Sequence, residues 1–359
     1  MSSLDGAAQW LLTAGVTVLG FALLIVIHEL GHFAAARLAG MRVERFSVGF
    51  GPVLWSRRRG ETEWCLSALP LGGYVRIAGM APGEAVDPAD RGAYANQPAW
   101  RRFLVILAGP AMNYLAAVAI AVAMFATVGL PQPDPAPVAG EILPGGAADR
   151  AGLRPGDRVL AFDGRPLETW EALVAAVQKS PGRAVELTVR RAGAPPEAPP
   201  ELLQATPDDR GGVGLIGVRP SLTVVRTGAG EAFALGVRST NAQAASILAG
   251  LAQVVTGRQK AELRGPLGIA QEMARSARAG ARQFVMMLWF ISVVLALFNL
   301  LPIPALDGGR LTFLGYELIA RRPVNQRVEN VVHLVGALAL FGLILAITVF
   351  GDLARIFRR

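Results

Sequence analysis

Residues 28–32 read His-Glu-Leu-Gly-His, set into a stretch apolar enough for lipid. His28 and His32 are four apart, so one helical face presents both imidazoles to a single metal ion. Glu29 stands beside them, where a carboxylate can take a proton from water. The run from residue 7 to residue 27 carries no charge. It is long enough to cross a bilayer, since ~20 residues at about 1.5 Å rise make ~30 Å. Three ionisable groups at that depth are costly and mark function by default. The chain has three histidines, and two of them are here. Such a short pattern also arises by chance in soluble helices, but in an apolar helix every polar residue needs a reason. The first expectation is a zinc hydrolase buried in a membrane.

Composition agrees with that setting. Of 359 residues, 52% are hydrophobic, and mean hydropathy is +0.41. These values describe a membrane protein with a sizeable soluble part. Net charge is +8, mostly from arginine spread over loops. Arginines not massed with aromatics argue against nucleic-acid binding, and anionic lipid headgroups are the expected partner. Cys65 is the sole cysteine, which excludes an intramolecular disulfide and a cysteine-based zinc site. No basic segment precedes the first apolar run, so a cleaved signal peptide is not expected.

Four membrane segments are expected, near residues 7–38, 103–130, 284–301 and 331–350. The loop 40–102 holds nine arginines, and Arg310, Arg321, Arg322 and Arg327 follow the third segment. Positive loops favour the cytoplasm, which puts both termini outside. Arg355, Arg358 and Arg359 oppose this, but a short tail weighs less than the large first loop.

The outside region opens with a proline-rich joint and continues as one small β-rich domain over about 139–220. Residues 145–153 read as a short helix with a glycine stop, 154–164 as turn, strand and turn, and 168–179 as a helix. Residues 185–189 alternate as a strand, and 193–200 form a stiff exposed loop. The order of elements and the phrase AGLRPGDRVLAFDG resemble a bacterial PDZ domain, in one copy. Residues 229–281 mix helically spaced apolar residues with Ser, Thr, Asn and Gln. An amphipathic helix in the outer interface is expected there, with a helix packed on the soluble domain as the alternative.

Two histidines and a water leave zinc one ligand short of four. After the third segment comes Asn299-Leu-Leu-Pro302-Ile-Pro304-Ala-Leu-Asp307-Gly308-Gly309. The two prolines must break the helix, and irregular backbone at this depth survives only in protein or at a cavity. Asp307 in its glycine-rich turn is the candidate third ligand; otherwise it caps the helix that follows. His333 in the fourth segment is the rival ligand, though a lone histidine on an apolar face is more often hydrogen-bonded within the bundle.

HELGH, one PDZ-like domain and NLLPIPALDGG together resemble the site-2 protease family of intramembrane zinc metalloproteases. The resemblance is to the bacterial group typified by the regulator-of-sigma-E protease. FSVGFGP (46–52), LPLGGYVRIAG (69–79), AGPAMN (108–113) and GPLGIA (265–270) extend it over about residues 20–350. It implies that His28, His32 and Asp307 bind zinc, that Glu29 is the general base and that Asn299 holds substrate backbone near the metal. Pro302 and Pro304 belong to the same substrate-binding segment. The better-known enterobacterial member has two PDZ domains, so a filter that needs a pair does not carry over.

The resemblance also gives meaning to the loop 46–79. Its β-prone pieces, 46–50, 63–66 and 73–77, form an expected cytoplasmic hairpin facing the membrane. A helix cannot be cut while its backbone bonds are internal. An exposed edge at Gly73, Tyr74 and Val75 would pair with unwound substrate; the plain alternative is a hairpin that only shields the site. Gly109 and Asn113 read as close-packing and hydrogen-bonding residues beside the first helix.

The expected fold is thus a polytopic α-helical membrane protein of four transmembrane helices, with an inserted α/β PDZ-like domain and a membrane-facing β-hairpin. Its expected parts are a first membrane half (1–130), the extracytoplasmic domain (131–222), the interfacial segment (223–283) and a second membrane half (284–359). The expected function is intramembrane zinc endopeptidase of a bacterial inner membrane, acting on single-span transmembrane proteins such as anti-sigma factors or remnant signal peptides. The PDZ-like domain would meet a peptide or a substrate ectodomain. A non-catalytic PDZ scaffold leaves HELGH and Asp307 unexplained. A zinc transporter leaves Glu29 unexplained and would show repeated halves.

Overall fold

The computed structural model describes residues 3–81, 83–195, 197–258 and 265–353. The chain divides into two compact units. Residues 124–231 form one, and the segments before and after them form the other.

The first unit begins with α1 (Ser3–Leu38), which contains the HELGH motif. Two long antiparallel strands follow, β1 (Val43–Arg59) and β2 (Thr62–Ile77), joined at the pair Arg59↔Thr62. Phe46 pairs with Trp64 on one side and with Val75 on the other. β2 therefore doubles back, and residues 73–77 become an outer strand along the first half of β1. The rings of Phe33, Phe46 and Trp64 pack at 4.9–5.7 Å and fasten the hairpin base to α1. Farther out, β1 exposes Phe50, Val53, Leu54 and Trp55. α2 (Ala99–Val128) then runs beside α1, with Pro110 inside it. Gly31 permits the close approach: a Cβ there would strike the Ala108 carbonyl.

In the second unit, β3 (Leu130–Pro133) and β4 (Ala139–Ile142) lead to the short α3 (Ala147–Arg150). Then come β5 (Arg158–Phe162), β6 (Arg165–Pro166), α4 (Trp170–Gln178), β7 (Val185–Arg190) and β8 (Glu201–Ala205). The last four are β9 (Asp208–Arg210), β10 (Val213–Leu215), β11 (Val218–Pro220) and β12 (Leu222–Val225). An antiparallel sheet of order β6-β5-β7-β8 carries the core. Alternation along β7 buries Val185, Leu187 and Val189 against Leu173 and Val177 of α4. α4 starts where Thr169 accepts a hydrogen bond from Ala172 N–H at 3.2 Å. Buried Asp157 accepts from the Arg154 and Ala192 amides and from Arg191, which fixes the turn before β5. β3 pairs with β12, so the chain enters and leaves this unit side by side.

The first unit resumes with α5 (Ala229–Val255), α6 (Pro266–Ala279) and α7 (Ala281–Phe298). Ala229–Val255 and Pro266–Ala279 are thus two helices packed on membrane helices. Thr240 of α5 accepts from Trp289 Nε1 at 3.1 Å, and Asn241 accepts from the Tyr114 hydroxyl at 2.8 Å. Met273 of α6 is buried with Leu24, Leu288 and Ile291. After α7 the chain turns through its prolines into α8 (Asp307–Ala320) and then α9 (Gln326–Ala346). A π-helical segment, Ile347–Leu353, continues α9 and carries Asp352, whose carboxylate accepts from the Gly265 and Gly268 amides and caps α6.

Among the described residues, four helical spans are long and apolar enough to cross a membrane: Leu12–Leu38, Ala99–Val128, Ala281–Phe298 and Gln326–Asp352. The third stops short of residue 301 because Asn299 ends the helix ahead of Pro302. Leu334, Leu338 and Phe341 of α9 are exposed, as suits a helix whose solvent is lipid.

Candidate metal centre and catalytic cleft

α1 delivers His28 and His32 to one point, as their helical spacing requires. Their Nε2 atoms lie 3.2 Å apart. Asp307 Oδ2 completes the triangle, 3.0 Å from His28 Nε2 and 3.2 Å from His32 Nε2. Asp307 is the first residue of α8, after the N-cap Leu306, and its carboxylate turns toward the histidines. Close backbone approach permits this: a Cβ on Gly308 would strike the Leu301 carbonyl, so the proline turn folds directly onto the start of α8. Ala305 in that turn takes a left-handed conformation with φ 78°. Its amide donates to His333 Nδ1 at 3.1 Å. His333 therefore braces the turn and stands outside the His28–His32–Asp307 group.

The group fits zinc. Bonds of ~2.0–2.2 Å in a tetrahedron put neighbouring ligand atoms about 3.3–3.5 Å apart, close to the separations found here. Asp307 Oδ2 is buried with no hydrogen-bond donor of its own, an arrangement a cation relieves. His32 Nδ1 donates to the Val105 carbonyl at 2.8 Å, which leaves Nε2 unprotonated and able to ligate. Gly109 of α2 faces both rings, and a Cβ there would collide with His28 and His32.

A cleft of about 360 Å³ opens on this centre. Glu29 lines it together with Tyr74, Val75, Ile106, Leu306 and Arg310. The Val75 backbone lies close to the Glu29 carboxylate, and both residues line the cleft. A Cβ on Gly73 would sit 3.4 Å from Glu29 Cγ, so the outer strand lies against Glu29. Arg45 donates to the Tyr74 hydroxyl at 3.4 Å and pairs with Glu63 at 2.7 Å. These two hydrogen bonds raise the Arg45 pKa, and Arg45 in turn holds the Glu63 carboxyl below its usual range. Phe50 stacks on Tyr74 with ring centroids 6.2 Å apart.

The remaining residues singled out in sequence lie farther back. Asn299 donates to the Leu295 carbonyl at 3.0 Å and does not line the cleft. Pro304 packs on Gly336 of α9. Residues that sequence reasoning passed over also contribute: Met80, Ile106 and Arg310 line the cleft. Arg310 carried a signal, lying one helical turn after Asp307 on the same face.

Two histidines, an aspartate and an adjacent glutamate at one cleft are the parts of a metal-dependent hydrolase. The chain belongs to peptidase family M50, which matches residues 16–343, and it is a zinc metalloprotease of the site-2 type. It is 30% identical over 421 residues to the zinc metalloprotease RasP of Geobacillus kaustophilus, covering 94% of this chain and 96% of that one. It is 29% identical over 422 residues to the regulator of sigma-W protease RasP of Bacillus subtilis, covering 94% and 97%.

Proposed function

We propose that the protein is an intramembrane endopeptidase in which His28, His32 and Asp307 hold zinc and Glu29 is the general base. The observation that carries this reading is the triangle of ligand atoms, all within 4.8 Å of one another, two of them carried by a helix apolar enough to span lipid. Zinc held there supplies Lewis acidity, polarising the scissile carbonyl and lowering the pKa of water toward ~7. Glu29 takes the proton of the attacking water and returns it to the leaving amine. The outer strand lies against Glu29, and its residues Gly73, Tyr74 and Val75 pair with substrate unwound into extended form. Ala305 and Leu306 form the opposite wall, and Asn299, Pro302 and Pro304 belong to the segment that leads into it. Gly109 keeps the metal's place clear of side chains.

Substrates are single-span membrane proteins cut near the cytoplasmic side of a bacterial inner membrane, with anti-sigma factors and remnant signal peptides as the classes. The regulator of sigma-W protease among the relatives supports the first class. The hairpin rests on anionic lipid: Val53, Leu54 and Trp55 are exposed and Arg57, Arg58 and Arg59 follow directly. Both termini and the PDZ-like unit lie outside the cytoplasm, an orientation that the arginine-rich loops favour.

The deciding experiment is cleavage of a tagged transmembrane peptide by purified protein, with and without chelator. Chelator-sensitive cleavage is expected, and Gly or Pro placed beside the cut site speeds it. A poly-Leu helix cut as fast as the broken one would remove strand pairing from the mechanism.

The PDZ-like unit acts as a size filter on substrate ectodomains, because it is inserted between the second and third spans. Replacing residues 131–222 by a short Gly/Ser joint leaves cleavage of short-tailed substrates intact and permits cleavage of untrimmed ones. Its apolar groove of about 250 Å³, lined by Trp170, Leu173, Val177 and Ile216, favours a second reading in which it holds a substrate C-terminus. Deletion that slows trimmed substrates and gains nothing on full-length ones would select that reading.

A further inference from the structure

We propose that Asn113 is a positioning residue for the metal centre, its side-chain oxygen accepting a hydrogen bond from His28 Nδ1–H and so keeping His28 Nε2 free for the cation. This rests on the ligand set proposed above. Asn113 lies on α2, fully buried, with its amide 3.3 Å from His28 Nδ1. A neutral imidazole carries one proton. Were the amide nitrogen to donate to His28 Nδ1, the proton would sit on Nε2, the atom that faces His32 and Asp307. A protonated Nε2 has no lone pair for a metal. The partner of His28 Nδ1 must therefore be an acceptor.

The Asn113 side chain supplies one by turning its amide through about 180°, which exchanges oxygen and nitrogen without changing the shape. No bond is lost in that turn, since Asn113 Oδ1 has no other hydrogen-bond partner. His32 sets the pattern. Its Nδ1 donates to the Val105 carbonyl, also on α2. Val105 and Asn113 are eight residues apart, about two turns of helix, so α2 holds each imidazole from behind with one acceptor. Ser292 of α7 donates to the Asn113 main-chain carbonyl at 2.8 Å and anchors α2 at this level.

The test uses the full-length protein in detergent, with zinc affinity measured by competition against a chromophoric chelator. Asn113→Leu and Asn113→Ala should weaken zinc binding by ~10–100-fold. Asn113→Asp retains an acceptor and should return affinity close to that of the parent. The visible spectrum of the cobalt-substituted protein should change in Asn113→Ala and be restored in Asn113→Asp. If the Leu variant fails to fold, the Ala and Asp pair decides alone. Parent-like affinity in the Ala variant, or an Asp variant no tighter than it, would overturn the proposal. Asp307→Ala runs alongside. Loss of zinc there with unchanged binding in Asn113→Ala defeats only the role of Asn113, whereas zinc retained in Asp307→Ala defeats the ligand set and this inference with it.

Discussion

Glu29→Gln is expected to bind zinc as the parent does and to cleave ~10²–10⁴-fold more slowly, the usual contribution of a general base. Gln has the size of Glu and keeps the contact of the side-chain stem with Gly73, so the outer strand stays where it is. It cannot take the water proton. His28, His32 and Asp307 are untouched by the change, so metal content and activity should part company. Zinc per protein is measured by atomic absorption on the same sample used for single-turnover cleavage of a transmembrane peptide. Turnover near the parent rate would remove Glu29 as the base. Loss of zinc together with activity would make Glu29 a support of the metal instead.

Much of this centre is written in local sequence. His28 and His32 meet because a helix brings positions four apart onto one face, and the apolar run around them says that the segment is a helix. Asp307 is legible for the opposite reason: Pro302 and Pro304 end a helix, and glycines after the carboxylate allow a tight return. Turn chemistry in the same way marks the strand at residues 158–162 and the helix at 170–178. What sequence hides is what depends on how distant elements slide against each other. Asn113 meets His28, and Val105 meets His32, only through the register of α1 against α2. Strand propensity at residues 73–77 was visible, but not that β2 doubles back to put Val75 beside Phe46 and Glu29. The two helices within residues 229–281 are mixed in composition because they pack on other helices. Thr240 and Asn241 satisfy Trp289 and Tyr114 rather than water.

Asp307→Ala should cost both metal and activity, because it removes one of the three proposed protein ligands and leaves two imidazoles at an open position. Supporting residues around metal sites typically contribute ~10–100-fold in affinity, so loss of a ligand should exceed about 10²-fold. The chain should still fold, since Leu306 rather than Asp307 is the N-cap of α8 and the turn before it is held by the Ala305–His333 bond. That turn gives the contrast its meaning. His333 accepts the Ala305 amide two residues before Asp307, so His333→Ala loosens the approach of the carboxylate without removing it. Its effect on zinc affinity should stay below about tenfold, the lower edge for supporting residues. Both variants are measured by chelator competition and by cleavage of the same peptide. Metal lost from His333→Ala and kept in Asp307→Ala would exchange the roles of the two residues. Equal losses in both would mean that the geometry of the proline turn, rather than the carboxylate alone, limits how zinc is held.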